Sequence, residues 1–131
     1  MIVDASALIA ILRKEPDARR YTDAIAEADD AKISAATLFE ASIVADGMRN
    51  RDVARRFDDI CRDSELDVVP FDEQQARIAR EAYRDYGKGS GHKARLNFGD
   101  CFAYALARVT GEKLLYKGTD FGQTDVASAL E

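Results

Sequence analysis

Four carboxylates stand at positions where a charge is either costly or useful. Asp4 follows directly on the apolar start Met1-Ile2-Val3. Glu40 shares a helical stripe with Ala36, Ile43, Val44 and Gly47, because residues three and four apart lie on one helix face. Asp100 opens an apolar segment with Phe102, Tyr104, Ala105 and Leu106, and the preceding Gly99 lets a backbone approach closely. Asp120 lies in Lys117-Gly118-Thr119-Asp120-Phe121, with Asp125 shortly after. Each acid also has a structural reading. Asp4 can cap the helix that begins near Ser6. Glu40 can form a capping box with Thr37, Asp100 can complement a helix dipole, and Asp120 or Asp125 can make an Asx turn. A pure cap works as well on a polar face, so the apolar stripe around Glu40 favours a ligand role.

Taken together the acids fall after the first strand, after the second, before the fourth and after the fourth. In a parallel sheet those points lie along one rim. Carboxylates converging there repel one another unless a divalent cation neutralises them. Mg²⁺ or Mn²⁺, held by a few carboxylates and several waters, is the usual solution. Such a site can activate water and stabilise an in-line phosphodiester displacement. The three acids Asp4, Glu40 and Asp100 are therefore expected in one concave pocket.

Other chemistries have less to stand on. The single histidine, His92, cannot build a zinc site with Cys61 and Cys101, which lie far apart and outside any CxxC spacing. Those thiols read as reduced and partly buried. Gly87-Lys88-Gly89-Ser90-Gly91-His92-Lys93 lacks the spacing of a phosphate-binding P-loop and follows no strand. It is expected to be a flexible loop. With Arg95 it forms the clearest cationic stretch, and Lys88, Lys93 and Arg95 suit contact with a phosphate backbone. Arg49, Arg51, Arg55 and Arg56 read as a solvated face.

The elements that position these groups alternate. Strands are expected over Met1–Asp4, Ala31–Ser34, Leu66–Phe71 and Lys113–Tyr116, with a short edge strand near Val126. Helices are expected over Ser6–Leu12, from Pro16-Asp17, from Thr37, over Asp52–Cys61, from Asp72 to about Tyr86, and over Phe98–Val109 with a stop at Gly111. Short apolar strands separated by helices favour a parallel sheet covered on both faces. The fold class is α/β: a three-layer α/β/α arrangement around a short parallel sheet of four to five strands. Functional groups gather at the carboxyl ends of such strands.

The chain has 131 residues, 47% hydrophobic and 33% charged, which bounds it to one globular domain over residues 1–131. No apolar run is long enough to span a bilayer. Asp4 interrupts the apolar start with no basic segment before it, so a signal peptide is not expected and the cytoplasm is. The net charge of −5 makes a poor non-specific coat for nucleic acid. A polyanion would have to be met by a local basic patch, a metal ion, or both.

Four segments together resemble the successive motifs of PIN-domain proteins, and most closely the VapC-type toxins of toxin–antitoxin pairs. They are Met1-Ile2-Val3-Asp4-Ala5-Ser6-Ala7-Leu8, Thr37-Leu38-Phe39-Glu40-Ala41, Leu96-Asn97-Phe98-Gly99-Asp100-Cys101-Phe102-Ala103-Tyr104-Ala105, and Leu114-Leu115-Tyr116-Lys117-Gly118-Thr119-Asp120-Phe121. They occur in the family's order and cover essentially the whole chain. The resemblance implies an endoribonuclease dependent on Mg²⁺ or Mn²⁺, inhibited by a cognate VapB-type antitoxin, and a homodimer. It puts the acidic triad on Asp4, Glu40 and Asp100, with Glu40 reaching the metal directly or through water. Ser6 matches the small hydroxyl residue beside the first acid, on the substrate side. The fourth acid falls on Asp120, acting through water, and Thr119 stands where another acid is often found. Two other readings are weighed. A receiver-like signalling module would use Lys117, but it wants paired acids after strand one, and Ala5 follows Asp4. An inactive PIN-like binding module is disfavoured by the presence of all three core acids. An apolar groove built from Leu8, Ile9, Ile11, Leu12, Leu38, Ile43 and Val44 would accept an amphipathic antitoxin helix. A basic antitoxin side chain, Arg above all, would then reach the carboxylates.

Overall fold

The first three strands each hand over to a helix after a short loop or none, and this alternation lays down a parallel sheet. The structure is a computed structural model that describes all 131 residues. In chain order the elements are β1 (Ile2–Val3), α1 (Ala5–Leu12), α2 (Ala18–Glu27), β2 (Lys32–Ser34), α3 (Ala35–Gly47), α4 (Arg51–Asp63), β3 (Asp67–Val69), α5 (Glu73–Tyr86), α6 (Phe98–Thr110) and β4 (Leu114–Leu115). A 3₁₀ turn, Phe121–Gln123, follows. The sheet order is β3-β2-β1-β4, with every pairing parallel.

The period-two alternation of strand side chains explains the three layers. Val3, Ile33 and Leu115 point to one face and pack with Leu8, Leu12, Tyr21, Ile25 and Phe57 of α1, α2 and α4. Ile2 and Leu114 point to the other face, where Ala82 of α5 and Tyr104 and Leu106 of α6 cover them. Strands β1 and β4 are fully buried and read as short apolar runs, whereas the edge strand β3 is largely exposed. No helix is long and apolar enough to cross a membrane.

Two local expectations need correction. The edge strand near Val126 is reduced to one parallel bridge between Leu114 and Ser128, closed by Leu114 N to Ala127 O and Ala129 N to Leu114 O, each 2.9 Å. The two-residue β4 offers a neighbour nothing longer to pair with. Helix α3 starts at Ala35 with Ser34 at its N-cap, so Thr37 lies inside the helix and forms no capping box with Glu40. The capping box is instead at α6, where Asn97 and Asp100 bond each other's backbone N–H groups. The glycine loop is tied at its base: Lys88 N donates to Leu96 O and Leu96 N to Tyr86 O, both 2.9 Å. His92 further braces it, accepting from Ala94 N at 3.0 Å and standing edge-on to Tyr86 with centroids 4.9 Å apart.

Candidate active site

Asp4 sits where β1 turns into α1, and it caps that helix as the sequence suggested. Its Oδ2 accepts from Ser6 N at 3.0 Å and from Ser6 Oγ at 2.6 Å. Ser6 Oγ in turn accepts from Lys117 N at 2.9 Å, which ties β1 to the segment after β4. The hydroxyl's one proton is thus committed to Asp4, and the structure gives Ser6 the place of a brace on Asp4. The other oxygen, Oδ1, is buried with no hydrogen-bond partner. Burial pushes the Asp4 carboxyl above its ordinary pKa, against the lowering effect of the Ser6 bonds.

Glu40 projects from α3 toward the start of α6. Its carboxylate lies directly against the backbone at Gly99, where any Cβ would collide with it. The close approach anticipated at Gly99 is therefore real, and the partner is Glu40. Burial, followed by the charges of Asp4 and Asp100, raises the Glu40 pKa to about 7. On the stripe it shares, Ile43 and Val44 are exposed, while Ala41 and Ala45 of the same helix are buried.

Asp100 is held by the helix start it helps to close. Its Oδ2 accepts from Asn97 N at 2.9 Å while Asn97 Oδ1 accepts from Asp100 N at 2.8 Å. Burial raises its pKa to about 6; the Asn97 bond opposes the rise, Asp4 and Asp120 add to it, and Lys88 opposes it. The structural and functional readings of this acid coexist, since the cap uses one oxygen and leaves Oδ1 free. Asp120 is exposed at the head of the 3₁₀ turn, with no side-chain hydrogen bond but near enough to act on Asp100.

Asp4, Glu40 and Asp100 thus share one electrostatic environment. They are coupled through charge, and no three His, Cys, Asp or Glu side chains close into a cage of ligands. Clefts beside α2–α4, at the N-terminus, along α5–α6 and beside Tyr104 are lined by other residues. The donor set still fits a hard divalent cation. All the groups are acceptor oxygens, one is buried without a partner, and their mutual repulsion is what a dication would relieve. Mg²⁺ keeps several waters, so it does not require a closed protein cage.

Of the basic loop, Lys88 is the cation whose charge reaches Asp100, while Lys93 and Arg95 are exposed without a contact to the acids. His92 is engaged within its own loop. Cys61 and Cys101 are free thiols, and burial pushes Cys101 up to about 11, which makes it a poor nucleophile. Lys117, the residue a receiver-like module would need, pairs through Nζ with Glu15 and with Asp17, the latter at 2.9 Å. Two contributors escaped the sequence reading. Asn97 orients Asp100, and the signal was an Asn-x-x-Asp run ahead of an apolar helix. The backbone at Lys117 braces Ser6, which no local pattern announces.

A parallel α/β sheet with coupled carboxylates on its carboxyl rim defines the class, and the chain belongs to the PIN domain family, whose model matches residues 1–127. Full-length relatives put it among the VapC ribonucleases. It is 53% identical over 131 residues to Ribonuclease VapC28 of Mycobacterium tuberculosis, covering 100% of this chain and 98% of that protein. It is 43% identical over 129 residues to Ribonuclease VapC42 of the same species, covering 98% of each. Among solved structures it superposes on M. tuberculosis VapC20, described as a Sarcin-Ricin loop cleaving toxin, with a TM-score of 0.75 at 17% identity over 96% of this chain and 95% of that one. A toxin–antitoxin complex from Klebsiella pneumoniae gives 0.72 at 16% identity over 99% and 97%. At those identities the two structures speak to the fold, and the fold agrees.

Proposed function

We propose that this chain is the toxin of a toxin–antitoxin pair, an endoribonuclease that hydrolyses RNA phosphodiester bonds at the rim formed by Asp4, Glu40 and Asp100. The observation that carries the reading is the mutual electrostatic coupling of these three acids in a chain 53% identical end to end to a VapC ribonuclease. Asp4 and Asp100 are the direct ligands for Mg²⁺ or Mn²⁺, Glu40 a ligand directly or through water, and Asp120 an outer acid acting through water. The bound cation would neutralise the acids and the scissile phosphate and ease deprotonation of the attacking water.

The chain's own part is orientation. Ser6 fixes one oxygen of Asp4 and Asn97 fixes one oxygen of Asp100, so each carboxylate is presented in a held orientation. Glu40 is braced against Gly99. Lys88, beside Asp100, is placed to meet a phosphate of the substrate, and Lys93 and Arg95 extend that cationic edge along the backbone of the RNA. Attack of water on phosphorus with departure of the 3′ oxygen leaves a 5′-phosphate and a 3′-hydroxyl.

A cognate VapB-type antitoxin is the partner, met in the cytoplasm, and the toxin is a homodimer. Of the apolar residues first assigned to the antitoxin groove, Leu8 and Leu12 are fully buried in the sheet core and cannot contribute. Ile43 and Val44 are exposed on α3, and Ile9, Ile11 and Leu38 are partly so. These remain to receive an amphipathic helix, with an arginine of the antitoxin turned toward the acids. The test of the activity is cleavage of a defined RNA in Mg²⁺, Mn²⁺ and EDTA, with end-group analysis of the products. Robust cleavage in EDTA would reject the carboxylate mechanism.

A further inference from the structure

Ser34 ends β2 and is fully buried, yet its hydroxyl has no protein partner. It occupies the N-cap of α3 and makes no side-chain capping bond there, so its usual role is vacant. Thr37, in the first turn of α3, is equally buried and its Oγ1 is equally unpartnered. Another such atom is Oδ1 of Asp4. Buried polar side chains are normally satisfied, by protein or by ordered water.

The topology places these three residues at the carboxyl end of β1 and β2. Ile2 lies opposite Lys32 in the parallel β1–β2 pair, so the register carries Asp4 level with Ser34. Side chains at one level of neighbouring parallel strands point to the same face, with the strands about 4.8 Å apart. Thr37 is three residues before Glu40 and shares its face of α3, the face that meets α6 at Gly99. Two hydroxyls can each donate one bond, while an ionised carboxylate oxygen only accepts. None of the three is bonded to another directly. A buried water needs two to four polar partners, and this set supplies three.

We propose that Ser34 and Thr37 hold one ordered water against Oδ1 of Asp4, and that these two hydroxyls are positioning residues for the acid site. The water accepts from both hydroxyls and donates one proton to Oδ1. Asp4 is then steered at both oxygens, by Ser6 on one side and by the water on the other. The inference rests on the reading that Asp4 serves a divalent cation, but the water itself does not.

The test has two arms. A high-resolution crystal structure of the full chain in EDTA is expected to show one water within hydrogen-bond distance of Asp4 Oδ1, Ser34 Oγ and Thr37 Oγ1. An anhydrous site, or hydroxyls turned to backbone carbonyls, overturns the proposal whatever the metal does. Mn²⁺ binding by electron paramagnetic resonance is then compared for wild type, Ser34→Ala, Thr37→Val, the double variant and Thr37→Ser, with melting temperatures to confirm folding. Each single loss is expected to weaken Mn²⁺ on the order of tenfold. The double variant should lose hardly more than either single one, because one water is shared, and Thr37→Ser should retain affinity. Unchanged affinity in both singles, or fully additive losses, overturns the shared-water role. Wild-type protein that binds no Mn²⁺ would fail the metal reading alone, and the EDTA structure would still decide the water.

Discussion

The carboxylate of Glu40 rests against the backbone of Gly99, one residue before Asp100, so that two acids from different helices are brought together by the absence of a side chain. A methyl group at Gly99 would strike the far end of a flexible side chain, which can swing away. Gly99→Ala should therefore leave the protein folded, since alanine is also the better helix former by about 0.5–1 kcal/mol. Glu40 would be displaced, and misplacement of a catalytic group on the ångström scale can cost on the order of 100-fold in rate. The measurement is RNA cleavage beside thermal melting. A Gly99→Ala protein with full activity would show that the position of Glu40 is immaterial.

Charge removal at constant shape tests the three acids directly. Asp4→Asn, Glu40→Gln and Asp100→Asn are each expected to abolish most cleavage and to weaken Mg²⁺ binding, with folding intact. Asp120→Asn should be milder, as befits an exposed group that touches Asp100 only through its field. His92→Ala should keep substantial activity, because its ring serves the loop around Ala94 and Tyr86. A His92→Ala protein as inactive as Asp100→Asn would point to imidazole chemistry instead.

The alternation of strands and helices was legible because each strand is a short apolar run bounded by helix formers. The acids were legible because charge is conspicuous beside apolar residues. What failed depended on tertiary register. In Ser34-Ala35-Ala36-Thr37 either hydroxyl residue could cap a helix, and only the direct passage of β2 into α3 selects Ser34. Asn97 was overlooked because its capping box uses aspartate at the third position, where glutamate or glutamine is the familiar signal.

The metal-free protein should carry a pH signature of the acid cluster. The pKa of Glu40 rises from 4.5 to about 7 and that of Asp100 from 3.8 to about 6 on folding. The folded state then holds these protons more tightly than the unfolded chain. Their contribution to stability is fully present below pH 4 and is lost as pH rises toward 7. In EDTA, melting temperature corrected for the rest of the chain should fall across that window. Subtracting the Glu40→Gln profile from the wild-type profile isolates the effect, since glutamine cannot titrate. Saturating Mg²⁺ should restore wild-type stability at neutral pH and help the variant less. Parallel profiles for the two proteins in EDTA would show that Glu40 is not strained by its neighbours.

Lys88 is distinguished from the other cations of its loop by its effect on Asp100. If it meets a substrate phosphate, Lys88→Ala should weaken binding of single-stranded RNA and reduce cleavage, whereas Lys93→Ala and Arg95→Ala, farther from the acids, should act less on the rate. The diagnostic is salt dependence. Each phosphate contact to a single strand contributes a slope of about −0.7 in log affinity against log salt concentration. The Lys88→Ala plot should therefore be shallower than wild type by about that amount. Binding is measured with Asp100→Asn as the common background so that the RNA stays whole. An unchanged slope would place Lys88 in solvent while RNA is bound and leave its influence on Asp100 as a matter of field alone.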